Sequence, residues 1–349
     1  MPQKLTFDPS AFGPTAASVI NLLKNVYNFW ADEKVQLVAA VLGTGYVASI
    51  FTKWLLHLKG HIRPSQLQMY CHSETGSWAL VTGASDGIGR AFVDELLARG
   101  FNVLLHGRNE SKLQGILTDL APQHPSRQIE YVIADASSID SPEQAVLEKV
   151  KVLPGKLTVL VNNVGGIHTK PFPVPLSQLP AADLNTQLNV NARFPTQLTA
   201  ALLPVLQQNQ PSLILNCGSG AGVIGVPYIT TYSATKAYIH TLTLALKAEM
   251  AAEGFRSDMK SSTGIEVQGF IIGNTLSAGN TTETPFITVS AADCAKGCLG
   301  KVGSGKALET PHWKFAVLEW IASSIPEWMM RNGLAAEMKK RRDEELKKL

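Results

Sequence analysis

The 349-residue sequence predicts an α/β fold, a doubly wound parallel sheet covered by helices on both faces, preceded by a separate apolar segment. Three observations carry this. From Trp78 onward, short apolar runs alternate with stretches of helical spacing. A glycine-rich turn joins the first run to the first helix. Near the N-terminus, eighteen consecutive residues carry no charge.

Taken in order, residues 1–34 are mixed, with weak helical character over 16–30. Residues 35–52 lie uncharged between Lys34 and Lys53, just long enough to cross a hydrocarbon core, and Trp54-Leu55-Leu56 extends the run. Trp30 and Trp54 sit near its ends, where interfacial aromatics belong. Lys53, Lys59 and Arg63 follow it, whereas Asp32 and Glu33 dilute Lys34, so a span here leaves the downstream domain on the cytoplasmic side. The alternative is a helix buried against that domain. The run begins too late for a secretory signal peptide.

The main domain opens with a strand at 78–81 and a helix at 90–99 that Gly100 caps. A strand at 101–106, a helix at 109–120 and a strand at 129–134 follow. The next helix has Ser141 as N-cap and Pro142 at its first position. A strand at 157–161 ends in Asn162-Asn163-Val164-Gly165-Gly166. Residues 181–208 form a long helical region made irregular by Pro195 and Pro204. Then come a strand at 213–216, a helix at 231–253 stopped by Gly254, and a strand at 265–271. Residues 256–263 read as a surface loop, and a further helix starts near Ser290 with Asp293 as the acidic partner of a capping box. Residues 313–330 hold three of the six tryptophans but are broken by Pro326 and charged by Glu319 and Glu327. They suit a helix over a groove or on a lipid surface better than a span. The tail, 339–349, has six basic and three acidic residues and reads as a solvated helix end able to touch anionic lipid. Four segments result: 1–34, an expected transmembrane helix at 35–56, a main α/β domain at 76–310, and an amphipathic extension with a basic tail at 311–349.

A net charge of +3, with no basic stripe interleaved with aromatics, excludes nucleic acid as the expected partner. The four cysteines form no CxxC pair, which suits free thiols in a reducing compartment. Cys294 and Cys298, four apart in a helix, read as core. No His/Cys/carboxylate cluster has zinc spacing, so no metal is expected.

Strand, glycine turn and helix N-terminus together converge backbone N–H groups and the positive helix end on one spot that suits a pyrophosphate. Gly83 permits the tight turn, Gly87 lets backbone approach phosphate, and Gly89 lets the helix pack on the strand. Val81, Ser85, Asp86 and Ile88 are expected to line the same site. Tyr232 and Lys236, four apart at the start of a helix, share one face. An ammonium beside a phenol favours the phenolate and makes it a proton donor and acceptor. Ser219, thirteen residues upstream and just past a strand, can hold a carbonyl oxygen beside that phenol. Its plain alternative is a turn residue among Gly218, Gly220 and Gly222.

The stretch Thr82-Gly-Ala-Ser-Asp-Gly-Ile-Gly89, then Asn162-Asn-Val-Gly165, Ser219 and Tyr232-Ser-Ala-Thr-Lys236, resembles the ordered motif set of the short-chain dehydrogenase/reductase superfamily. The likeness spans residues 76–310. It implies a Rossmann sheet in the order 3-2-1-4-5-6, with room for a short seventh strand, and hydride transfer between a nicotinamide and a carbonyl/alcohol pair. On this resemblance Tyr232 is the general acid in reduction, Lys236 binds the nicotinamide ribose, Ser219 orients the carbonyl, and Asn191 anchors a water relay. Asn189 competes with Asn191 and is taken as structural. Asn163 lines the cofactor cleft and Asp135 touches the adenine. Past the sixth strand the family usually has Pro-Gly where this chain has Ile272-Gly273, and Thr275 and Ser277 remain as cofactor contacts.

The end of the second strand, His106-Gly107-Arg108-Asn109, offers one guanidinium and no carboxylate. A guanidinium suits a 2′-phosphate, so the cofactor expected is NADP(H); the alternative makes Arg108 a solvated helix-start residue. The N-terminal apolar segment, the Asn-Asn-Val-Gly spelling and the run Trp320-Ile-Ala-Ser-Ser-Ile-Pro-Glu-Trp328 resemble the membrane-bound branch of very-long-chain 3-oxoacyl-CoA reductases and 17-beta-hydroxysteroid dehydrogenases. That branch implies an endoplasmic reticulum membrane location with the catalytic domain facing the cytosol. It also implies a lipophilic ketone substrate, foremost a 3-oxoacyl-CoA in fatty-acid elongation, and allows a homo-oligomer. A steroid or secondary-metabolite ketone is the alternative substrate. A membrane-tethered binding protein without catalysis is the alternative class, disfavoured by the intact Asn191, Ser219, Tyr232 and Lys236.

Overall fold

A computed structural model describes residues 14–168, 173–257, 263–277, 280, 283–284 and 286–347. Most of the 256–263 loop therefore lies outside the described residues. The chain divides into two compact units, Met1–Ile62 and Arg63–Leu349.

The first unit is two helices, α1 (Pro14–Ala31) and α2 (Glu33–Ile62). They separate at Asp32, whose carboxylate accepts the N–H groups of Lys34 (2.8 Å) and Val35 (3.3 Å) and so caps α2. The stretch Glu33–Thr52 is long and apolar enough to cross a membrane, the one such helix among the described residues, and none of it is buried.

The second unit is built on a seven-stranded parallel sheet: β1 (Ser77–Thr82), β2 (Asn102–Gly107), β3 (Ile129–Ile133), β4 (Lys156–Asn162), β5 (Ser212–Cys217), β6 (Ile265–Phe270) and a two-residue β7 (Leu308–Glu309). Its order is β3-β2-β1-β4-β5-β6-β7. This is the Rossmann arrangement expected, with the short seventh strand present. Side chains alternate across each strand, so β1 sends Ala79 and Val81 to one core and Trp78 and Leu80 to the other. Both faces of the central strands are covered, which is why they read as continuous apolar runs.

On the first face lie α3 (Gly87–Ala98), α4 (Glu110–Leu120) and α10 (Ala291–Gly300), contributing Phe92, Leu113 and Cys294. On the second lie α5 (Pro142–Lys151), α7 (Phe194–Gln208) and α9 (Thr230–Ala252), contributing Val146, Leu202 and Met250. Strand order reverses between β1 and β4, and the crevice at their C-terminal ends is where ligands bind in such sheets.

The long helical region is not one helix. After α6 (Ala181–Leu188) comes a single π-helical turn, Asn189–Arg193, before α7. Pro195 has no N–H to give, and its ring would strike the carbonyl four residues back, so the wider turn absorbs it. Pro204 sits inside α7. Ser141 precedes α5 as expected, but it is left-handed (φ 52°) and its side chain makes no cap bond. Ser290 does cap α10, accepting the Asp293 N–H at 3.0 Å. The C-terminal extension forms two helices, α11 (Trp313–Ser324) and α12 (Glu327–Leu346), parted at Pro326. Phe315 of α11 is buried against Gly273, where any Cβ would lie 2.4 Å from its ring. That contact explains the glycine following Ile272.

Candidate active site

The glycine turn is built for close approach. Gly83 (φ +65°) and Gly87 (φ +53°) adopt backbone that L side chains rarely take, and a Cβ on Gly89 would lie 2.0 Å from the Gly83 carbonyl oxygen. Asp86 caps α3 by accepting the Gly87 N–H at 2.6 Å. The first helical bond runs from the Arg90 N–H to the Asp86 carbonyl, so the amides of Ile88 and Gly89 precede the ladder. These free donors at the head of a helix, in a turn crowded against a Cβ at Gly83, Gly87 and Gly89, fit the pyrophosphate of a dinucleotide. The Val81 side chain is fully buried, which confines any part it plays to its backbone. Ser85 is partly buried in the turn.

Asn163 ties this turn to β4. Its N–H donates to Thr82 Oγ1 and its Nδ2 to the Thr82 carbonyl, both at 2.9 Å. Thr82 Oγ1 also accepts the Val164 N–H at 3.0 Å. Ser277 packs on the turn from the far side, 2.8 Å from the position of a Gly87 Cβ. Thr275 is buried and donates to the Gly273 carbonyl at 3.2 Å.

At the ends of β2 and β3, Arg108 and Asp135 are both exposed. Burial works against the Asp135 carboxylate, but the N–H and hydroxyl of Ser137, bonded to it at 2.9 and 2.8 Å, and the Arg108 charge together hold it below the ordinary range. His106, one strand position from Gly107, is buried and stacked on Phe194 at 4.9 Å between centroids. Burial pushes its pKa down to about 4.

Lys236 and Asn191 converge on Gly165. A Cβ there would lie 2.8 Å from Asn191 Oδ1 and 3.1 Å from Lys236 Nζ. The Asn191 amide exchanges two bonds with Gly166, accepting its N–H at 2.8 Å and donating to its carbonyl at 2.9 Å. The π-helical turn carries Asn191 into this position, whereas Asn189 donates to the Ser137 carbonyl at 2.9 Å. Lys236 is buried, donates to the Cys217 carbonyl at 2.8 Å, and lies 5.8 Å from the centroid of the Tyr232 ring. Ser219 follows two residues after Cys217. Its Oγ accepts the Ala221 N–H at 3.2 Å, which leaves the hydroxyl proton free to donate. The short helix α8 (Ala221–Ile224) then lies on α9, where a Cβ on Gly222 would meet the Lys236 carbonyl carbon at 2.6 Å.

Sequence reasoning missed two features. One is His240, a turn beyond Lys236, whose Nε2 accepts the Ser219 N–H at 3.2 Å; burial and the Lys236 charge push its pKa down to about 4. Gly218 makes room for it, since a Cβ there would lie 2.2 Å from Nε2. The i,i+4 spacing from Lys236 was the available signal. The other is a buried polar chain. Asn162 Nδ2 donates to Thr199 Oγ1 and Asn216 Oδ1, and Asn216 Nδ2 donates to Thr243 Oγ1, each at 2.9 Å. It links α7 to α9 across β4 and β5, and nothing in the spacing of those residues announces it.

A model of the short chain dehydrogenase family matches residues 77–280, a stretch running from β1 through the glycine turn, Ser219, Tyr232 and Lys236 to beyond β6. The chain belongs to this family. As a short-chain dehydrogenase it is an oxidoreductase acting on a CH–OH/ketone pair with a nicotinamide cofactor. It is similar to the very-long-chain 3-oxoacyl-CoA reductase of Neurospora crassa, 29% identical over 295 residues that cover 83% of this chain and 85% of the relative. The reductase of the same name from Coprinopsis cinerea is 31% identical over 269 residues, covering 74% and 76%. Among solved structures, a short-chain dehydrogenase of Shigella flexneri complexed with NADP aligns with a TM-score of 0.56 at 25% identity, over 67% of this chain and 94% of that one.

Proposed function

We propose that this short-chain dehydrogenase reduces a 3-oxoacyl-CoA to the 3-hydroxyacyl-CoA with NADPH, in fatty-acid elongation at the endoplasmic reticulum membrane. The observation that carries the reading is Lys236, 5.8 Å from the centroid of the Tyr232 ring, meeting Asn191 at Gly165 and bonded to the Cys217 carbonyl two residues before Ser219, in a chain similar along most of its length to named 3-oxoacyl-CoA reductases. When bound, the reduced nicotinamide supplies hydride to the carbonyl carbon. The Tyr232 hydroxyl hands its proton to the ketone oxygen. Lys236 balances the charge left on the phenol, and its bond to the Cys217 carbonyl fixes where that ammonium sits. Ser219 donates to the same ketone oxygen, holding it beside the phenol. Asn191 pins the Gly165–Gly166 backbone against Lys236 and so sets one wall of the site.

Arg108 supports NADPH, because no carboxylate stands at the end of β2 and a guanidinium matches a dianionic 2′-phosphate. The Glu33–Thr52 stretch supports a membrane anchor, and the cations after it support a cytosolic catalytic unit. The outer residues Trp313, Trp320 and Trp328 support a lipid-facing C-terminal extension.

The test is spectrophotometric NADPH consumption by the purified enzyme with 3-oxoacyl-CoAs against ketosteroids. Turnover of the CoA thioesters, lost in Tyr232→Phe while NADPH still binds, is the expected result. Turnover of ketosteroids alone moves the substrate assignment to the steroid reading.

A further inference from the structure

The C-terminal extension begins against the stretch of chain that lies on the glycine turn. β7 pairs with the end of β6, and the Ile271 N–H donates to the Glu309 carbonyl at 2.9 Å. This fixes residues 308–309 at the sheet edge, and α11 starts four residues later. His312 sets that start. Its Nδ1 accepts the Lys314 N–H at 3.2 Å, and its carbonyl accepts the Phe315 N–H at 3.0 Å. The first turn of α11 then holds the chain beyond β6 at two points. Phe315, only 4% exposed, packs on Gly273. Lys314 Nζ donates to the Thr288 carbonyl at 3.2 Å, a bond strengthened by the ammonium charge.

From Thr288 a run of hydrogen bonds leads to the glycine turn. Thr288 Oγ1 donates to the Thr284 carbonyl at 2.9 Å and accepts the Thr284 N–H at 2.7 Å and Asn274 Nδ2 at 2.9 Å. That uses the full capacity of a hydroxyl. The Val289 N–H donates to the Asn274 carbonyl at 3.1 Å, and the Leu276 N–H to the Val289 carbonyl at 3.0 Å. Asn280 Nδ2 donates to Asn274 Oδ1 at 2.6 Å and to the Thr275 carbonyl at 3.0 Å. Asn280 and Ser277 exchange both backbone bonds, at 3.0 and 3.1 Å. Ser277 ends the run against Gly87, its Cβ 2.8 Å from where a Gly87 Cβ would lie.

These bonds give residues 274–289 an internal shape but are local to that stretch. Lys314 and Phe315 tie it to a helix anchored on the sheet, in the Lys314 bond across 26 residues. Thr275 and Ser277 are the residues of this stretch expected to touch the cofactor, and both lie between the two points that α11 holds, Gly273 and Thr288.

We propose that Lys314 and Phe315 are positioning residues for the cofactor, holding Thr275 and Ser277 against the pyrophosphate turn. The C-terminal extension then takes part in NADPH binding as well as presenting Trp313 and Trp320 outward. This rests on the reading of the glycine turn as an NADPH site and adds to it a contribution from outside the 77–280 stretch that the family model matches.

The experiment uses the full-length enzyme in detergent, with NADPH affinity read by fluorescence titration beside steady-state kinetics. Lys314→Met keeps the aliphatic stem and removes the donor, whereas Lys314→Arg keeps a charged donor. Lys314→Met should raise the Kd and KM for NADPH about three- to tenfold, with kcat at saturating NADPH within about twofold of wild type. Lys314→Arg should retain most of the wild-type affinity, and Phe315→Leu should weaken NADPH in the same direction as Lys314→Met. A bond that served the fold alone would lower the thermal midpoint and leave Kd untouched. An unchanged Kd in Lys314→Met, or an equal loss in Lys314→Arg, overturns the proposal. A wild-type enzyme that binds no NADPH removes the cofactor reading itself, and this proposal with it.

Discussion

The Nε2 of His240 accepts the backbone N–H of Ser219 at 3.2 Å, from one turn below Lys236 on the same helix. An accepting Nε2 puts the proton on Nδ1, in a neutral ring. Burial, then the Lys236 charge, keep it neutral, with a pKa of about 4. The helix that carries Tyr232 and Lys236 therefore also fixes the Ser219 loop. Replacing His240 with Leu removes the acceptor and should lower kcat about tenfold with NADPH affinity unchanged. His240→Gln, whose Oε1 can accept, should recover most of the loss. Steady-state kinetics with a fluorescence titration of NADPH check this, and identical behaviour of the two variants contradicts it.

Arg108 stands alone as the fixed cation at the end of β2, close enough to Asp135 to help hold its carboxyl down. Arg108→Glu places a carboxylate where a 2′-phosphate would sit and a ribose hydroxyl could donate instead. The expected outcome is a fall of about 10- to 100-fold in kcat/KM for NADPH relative to NADH. Equal losses with both cofactors would mean that Arg108 does not read the phosphate.

His106 and His240 give stability a definite pH dependence. Both are buried, with folded pKa values of about 4 against an ordinary value of 6.5. Above about pH 6.5 both are neutral in either state and their contribution is fully present. As pH falls from there towards 4, the unfolded chain binds protons that the folded chain refuses, so stability is lost. Each imidazole accounts for roughly 1 to 3 kcal/mol of that loss. Urea midpoints should therefore drop between pH 7 and pH 5, and His106→Leu should flatten the slope whatever it does to the midpoint at pH 7.

The apolar stretch of α2 and the exposed tryptophans of α11 and α12 divide the membrane question between two ends of the chain. Removing residues 1–62 should move the protein from the carbonate-washed membrane pellet into the supernatant. Persistence in the pellet assigns attachment to the Trp313, Trp320 and Trp328 surface, and Trp320→Ser with Trp328→Ser should then release it.

Much of this was legible in the sequence. Strands buried on both faces read as apolar runs, and glycines with positive φ stand where the turn demands them. The Ser290–Asp293 cap, the Tyr232–Lys236 spacing and the break at Pro326 are equally local. Where the reading fell short, the cause was also specific. Pro195 was recognised as an irregularity, but only the fold shows that the chain answers it with a π-helical turn that carries Asn191 towards Gly166. Ser141 sits at a helix start yet its side chain caps nothing, and its backbone is left-handed (φ 52°) where a capping residue is ordinarily extended.

Spacing along the chain, set by the two-residue repeat of a strand and the 3.6-residue repeat of a helix, by itself determined the fold class, the glycine cradle and the pairing of tyrosine with lysine. Only the tertiary structure decided that Lys236 meets the Cys217 carbonyl, that His240 meets Ser219, and that Asn162 bridges Thr199 to Asn216. Those partners lie 19 to 54 residues apart. Their meeting depends on how seven strands register and how helices pack on them, which no local repeat encodes.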